Sequence, residues 1–162
     1  MSAKLAPAST MKTVITHCEA DPNAAIEFAV NVYALTAREE FRGHRSLRDQ
    51  LERAAVSISN NISEGFERGT TQELLTFLYI ARGSSGEARS MLCLLERLPT
   101  FATSRMEISD LKSRAVSISR QLGAWADSLQ NSEMKGQRYV TDKTRTRLSS
   151  WSRARTVSGR IA

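Results

Sequence analysis

Arginine and lysine recur every few residues from Lys135 to the end of the chain, with hydroxyl side chains between them and two aromatics, Tyr139 and Trp151, interleaved. The cations are Lys135, Arg138, Lys143, Arg145, Arg147, Arg153, Arg155 and Arg160, and Asp142 is the single carboxylate among them. Residues 1–134 hold 15 Lys and Arg against 16 Asp and Glu, a net of −1. The formal charge of +6 is therefore made by a C-terminal segment of +7. Guanidinium and ammonium groups neutralise phosphates, and aromatic rings stack on unpaired bases, so this composition suits nucleic-acid binding. A solubilising terminus is the alternative. The segment has too few aliphatic residues for a membrane anchor.

Groups that could catalyse a reaction are sparse. The chain has no glycine-rich phosphate loop, no His-Glu-x-x-His and no cysteine pair at metal-ligand spacing. His17 and His44, the two histidines, fall in a leader and a connection, where exposed filler is the expectation. Glu64 and Glu87 could form a carboxylate pair for acid–base work, but no nucleophile or metal set accompanies them. The expectation is a protein that is not an enzyme and takes no metal or cofactor. Cys18 and Cys93 are far apart, and no disulfide is expected between them in a reducing cytosol.

Helices must position whatever these residues do. From Ser46 to Leu98 the sequence divides into two amphipathic runs joined at Gly65 to Thr70. Leu47, Leu51, Ala54, Ala55, Ile58 and Ile62 share one face of the first. Leu74, Leu78, Ala81, Ser85, Ala88, Leu92 and Leu95 step by four and three along the second, with Phe77, Ser84, Met91 and Leu98 beside them every seven residues. Ser46 with Asp49, Thr70 with Glu73 and Ser104 with Glu107 have the spacing of capping boxes, and Gly65 suits a left-handed helix stop.

An earlier helix follows Asp21-Pro22-Asn23, with Ile26, Ala29, Val30 and Tyr33 as its buried face and Phe28, Val32 and Leu35 widening it. A last one carries Ile108, Leu111, Ala115, Ile118, Leu122, Trp125 and Leu129 in heptad steps. Four helices with short connections predict an all-α, antiparallel up-down-up-down bundle over residues 23–131. Residues 1–22 form a flexible leader in this reading, and 132–162 a basic tail, largely disordered until it meets a partner.

Within the bundle, Arg53, Glu64, Arg68 and Glu87 are expected to make interhelical ion pairs and cap contacts that fix register, with direct contact to a partner as the alternative. Asn61 is expected to bond a neighbouring backbone or subunit, or to remain a solvated amide. Gly83, Ser84, Ser85 and Gly86 pose a sharper question, because glycine inside a helix costs about 1 kcal/mol relative to alanine. Close packing in the bundle or at a subunit interface is the favoured reason, and a phosphate-binding helix break the other.

The segments RAAVSISNNISEG (Arg53 to Gly65) and FERGTTQELLTFLYIARGS (Phe66 to Ser84), with Glu87, resemble the four-helix-bundle family encoded in intervening sequences of 23S ribosomal RNA genes. That family includes the accessory variability determinant (Avd) proteins of diversity-generating retroelements. The similarity spans roughly Ala24 to Leu129, with its specific motifs between Arg53 and Glu87. Asn60 and Ser63 depart from the proline and alanine often found in the family at those places. The resemblance implies a ring of five subunits and, through the Avd relatives, an RNA-binding partner of a reverse transcriptase.

At 162 residues, 41% hydrophobic and 25% charged, the chain suits one globular domain. No apolar run approaches a membrane span, and MSAKLAPASTMK lacks a secretory core, so a cytoplasmic location is expected. The functional expectation is a non-enzymatic, oligomeric accessory scaffold that binds RNA, or DNA, beside a reverse transcriptase. Its rival is a protein-interaction or assembly module of the same family with no direct nucleic-acid role.

Overall fold

A computed structural model describes residues 22–131, and the expectations for residues 1–21 and 132–162 lie outside them. Four α-helices follow one another: α1 Pro22–Thr36, α2 Arg45–Glu67, α3 Thr71–Arg97 and α4 Arg105–Gln130. Short 3₁₀ turns, Glu39–Phe41 and Pro99–Ser104, lie in two of the connections. Each helix packs on the next in sequence and α1 also meets α4, closing the antiparallel four-helix bundle that the periodicity predicts.

The apolar stripes of α2, α3 and α4 go where their spacing puts them. Leu51, Ala55, Ile58, Leu74, Leu78, Ala81, Ala88, Leu92, Leu95, Ile108, Leu111 and Ala115 are all buried, together with Trp125 and Leu129. Each large member removed from water contributes about 1.5–3 kcal/mol, so these stripes dominate the stability. Helix α1 differs from the expectation. Its buried face is Ala25, Phe28, Ala29, Val32 and Leu35, while Ile26, Val30 and Tyr33 are 51%, 56% and 49% exposed. The second set lies at i, i+4 and i+7, so α1 presents an apolar stripe outward as well as inward.

The helix ends also differ in detail. Thr70 caps α3 as expected: its hydroxyl oxygen accepts from the Glu73 N–H at 3.2 Å and its O–H donates to the Glu73 carboxylate at 2.7 Å. Ser46 does not cap α2, which begins one residue earlier at Arg45 with His44 at the cap position. Ser104 stands at the start of α4 without capping it. Its hydroxyl donates to Glu40 at 3.0 Å and accepts from Arg38 at 2.9 Å, so it ties the α1–α2 connection to the α3–α4 connection instead. Thr103 also donates to Glu40, and Arg38 pairs with Glu107. The Thr103 bond foremost, then Ser104 and the Arg38 charge, hold the Glu40 carboxyl below its ordinary pKa, against a partial opposing effect of desolvation.

Phe41 and Phe101 close this end of the core with ring centroids 4.7 Å apart, and His44 packs on Phe101 at 5.3 Å. His44 is thus a half-buried wedge between connections, not exposed filler. At the opposite end Gly65 does not stop its helix. Helix α2 runs on to Glu67, and Gly65 is buried against α3.

Candidate functional site

A chain of hydrogen bonds sets the register between α2 and α3. Asn61 donates its side-chain N–H to the Ser57 carbonyl at 2.7 Å and to the Ser57 hydroxyl at 3.0 Å. Ser57 and Ser84 hydroxyls meet at 2.9 Å across the seam, and Ser84 donates onward to the Ile80 carbonyl at 3.1 Å. With the Ser84 proton so engaged, the Ser57 proton is the one shared with Ser84. The Asn61 amide nitrogen is therefore engaged inside its own subunit.

One turn from that contact, the antiparallel register brings Arg53 of α2 and Glu87 of α3 to the same level of the seam. Both are exposed, and neither makes an ion pair among the described residues, which corrects the expectation of an interhelical bridge there. Glu64 and Arg68 do pair, at 2.5 Å, but within α2 at i, i+4 spacing. Arg68 reaches α3 by a different route: its guanidinium lies 5.2 Å from the centre of the Phe77 ring. The residues singled out by the sequence, Arg53, Asn61, Glu64, Gly65, Arg68, Ser84 and Glu87, thus collect along one seam.

Gly83 and Gly86 fall on the other side of the argument. Apart from the helix's own backbone, no atom of the described residues lies within 4 Å of where a Cβ would stand at either, so packing inside the bundle does not require them. Helix α3 runs unbroken through both, so the phosphate-binding helix break is not present either. Ser85, buried between them, donates to the Ala115 carbonyl at 2.8 Å and ties α3 to α4.

Tyr33, Arg53, Val56, Ser57, Asn60 and Asn61 line a shallow depression, and a second one, lined by Arg45, Ser46, Asp49, Gln50 and Arg53, adjoins it. Arg53 is common to both. Each is open to solvent. Among the described residues no three His, Cys, Asp or Glu side chains gather as a metal-ion group, and no helix is long and apolar enough to cross a membrane. Cys93 is free and partly buried in α3. Cys18, His17 and all ten nucleic-acid candidates of the tail, Lys135 to Arg160, lie outside the described residues.

Charge pairing supplies a feature that the sequence pattern does not show. Arg38, Arg42, Arg48, Arg68, Lys112 and Arg114 each have a carboxylate oxygen within 4 Å. Among the described residues, Arg82, Arg89 and Arg97 of α3 and Arg120 of α4 have none, and they are exposed. Most arginines near the first connection are neutralised, whereas those of the α3/α4 face are free.

The structure is thus an all-α four-helix bundle with two open surface depressions, an outward apolar stripe on α1 and a set of exposed arginines. Residues 23–124 match the family model described as 23S rRNA-intervening sequence protein, and the chain belongs to that family. Among solved structures it is similar to a protein of unknown function from the S23 ribosomal protein family of Bacteroides thetaiotaomicron VPI-5482. That likeness has 22% sequence identity and a TM-score of 0.56, covers 64% of this chain and 94% of that one, and supports the fold. No curated protein matches the chain.

Proposed function

We propose that this protein is a non-enzymatic, oligomeric accessory protein that binds RNA and serves as a scaffold for a larger assembly. The observation that carries the reading is the segregation of charge: a bundle region of net −1 followed by a segment of net +7 that also holds Tyr139 and Trp151. Such a segment attracts phosphates over distance and offers ring faces to unpaired bases. The outward stripe of Ile26, Val30 and Tyr33 on α1, with Ile80 and Leu94 exposed on α3, supports self-association. A ring of subunits would gather several basic tails, and multivalency then multiplies a weak individual affinity. The partnership with a reverse transcriptase rests on the resemblance to the Avd proteins, and a cytoplasmic setting goes with it.

Truncation after Met134 tests this reading. The shortened chain should keep its helical spectrum and melting temperature while losing most of its RNA affinity. The intact chain should bind with an affinity that falls steeply as salt rises, by about 0.7 in log K per log salt for each neutralised phosphate of a single strand. Replacing Tyr139 and Trp151 with alanine should cost about 1–3 kcal/mol per stacked base and leave the salt slope little changed. Intact protein with no RNA affinity at low salt would leave the assembly-module reading, which the outward apolar stripe of α1 favours, in its place.

A further inference from the structure

We infer that the α3/α4 face of the bundle is itself a phosphate-binding track for a nucleic-acid strand, formed by Arg82, Arg89 and Arg97 of α3 with Arg120 of α4. This inference rests on the RNA-binding reading and adds to it a second site, on the folded part of the chain. The three α3 arginines stand at i, i+7 and i+15, which spaces their backbones by about 10.5 and 12 Å along the helix and keeps them within about 80° of its circumference. None has a carboxylate partner among the described residues.

The surroundings favour a polyanion. Glu96 and Asp110, acids of the same two helices, are neutralised by Lys112 at 2.5 Å and Arg114 at 2.7 Å. Glu87 projects toward the α2 side, about 140° round the helix from Arg82. Asp127 lies beyond the Arg82 end, one turn past Gly123. The Arg82 guanidinium rests 3.5 Å from where a Gly123 Cβ would stand, in ordinary van der Waals contact, so it spans the seam between the helices. That contact holds the planar group before a ligand arrives, which lowers the ordering cost of binding. Between Arg82 and Arg89, Gly86 has nothing within 4 Å of its missing side chain, leaving the helix surface open to close approach by a phosphodiester backbone.

The described chain also ends beside this track. Gln130 donates to the Tyr79 hydroxyl at 2.6 Å, so the last turn of α4 sits by the Arg82 end of the row. Between its members the row itself presents only the small Gly86 and Cys93, while the exposed Leu94 lies about 60° round the helix from Arg97.

Two full-length double variants of equal net charge test the inference: Arg82→Gln with Arg89→Gln, and Arg42→Gln with Arg114→Gln, whose arginines are ion-paired. The probe is a labelled single-stranded RNA oligomer titrated across a salt series, with melting temperatures measured to confirm folding. Loss of two phosphate contacts should make the first variant's salt slope shallower by about 1.4. Wild type would then lose about sevenfold more affinity than this variant between about 50 and 200 mM salt. The second variant should keep the wild-type slope. Equal behaviour of both variants, while wild type still binds, would overturn the track and leave the RNA reading standing. No binding by wild type at low salt would remove both. A polyglutamate peptide bound with the same dependence on Arg82 and Arg89, and as tightly as RNA of equal charge, would make the occupant an acidic protein surface and overturn the nucleic-acid assignment.

Discussion

Gly65 of α2 approaches Phe77 of α3 so closely that a Cβ at position 65 would fall 2.6 Å from the Phe77 Cβ, and 3.2 Å from Leu74 Cδ1. Real Cβ atoms do not come that near, and the Phe77 atom belongs to the rigid root of its side chain. Gly65→Ala should therefore push α2 and α3 apart. Overpacking of this kind costs about 1–3 kcal/mol, which exceeds the roughly 1 kcal/mol that alanine gains over glycine inside a helix. A net fall of up to about 2 kcal/mol in unfolding free energy is expected. An increase in denaturant midpoint would show that the seam relaxes freely.

Gly83 and Gly86 should respond with the opposite sign. Both sites are open within the bundle, so Gly→Ala removes a helix penalty of about 1 kcal/mol at each without a clash. The bundle should become more stable in urea at low protein concentration. If another subunit packs closely there, the same variants should weaken assembly as they strengthen the fold, and comparing melting with light scattering separates the two effects.

The three glycines show what the sequence can and cannot convey. Spacing revealed α2, α3 and α4 because their apolar residues follow long, strict repeats, and the Thr70–Glu73 cap was visible because both partners are local. In α1 nearly every residue from Ile26 to Leu35 is apolar, so periodicity alone could not choose between Phe28, Val32 and Leu35, which are buried, and Ile26, Val30 and Tyr33, which are not. The angle at which α2 and α4 pack decides it. Ser104 and His44 depart from the expectation for a related reason: their partners, Glu40 and Phe101, lie more than fifty residues away in sequence. The arginine row of α3 stayed hidden because seeing it requires knowing that Lys112 takes Glu96 and Arg114 takes Asp110.

Acid should loosen the connection end of the bundle. The hydroxyls of Thr103 and Ser104 and the charge of Arg38 favour ionised Glu40 in the folded state, so its folded pKa lies below its unfolded one. Its contribution to stability is therefore present at neutral pH and is lost as pH falls from the ordinary carboxylate range through the lower folded value. Glu40→Gln should lower the melting temperature at about pH 7 and flatten its decline toward about pH 3. An unchanged acid profile would mean that this carboxylate is equally favoured in the unfolded chain.

Self-association should depend on the outward stripe of α1. Ile26, Val30 and Tyr33 are each about half exposed, and Tyr33 borders the depression that also holds Arg53 and Val56. Leaving three large apolar side chains on one helix face in water forfeits part of the about 1.5–3 kcal/mol that each yields when fully buried. A second copy can recover that energy by covering the stripe. Light scattering of the intact chain should accordingly give a mass several times 18.0 kDa. Val30→Glu places a charge in the middle of the stripe but outside the core, so the helical spectrum should persist while the mass falls toward that of one chain. Assembly that survives Val30→Glu unchanged would assign the interface to the exposed face of α3, where Ile80, Gly83 and Leu94 lie, and Ile80→Glu would then be the variant that dissociates it.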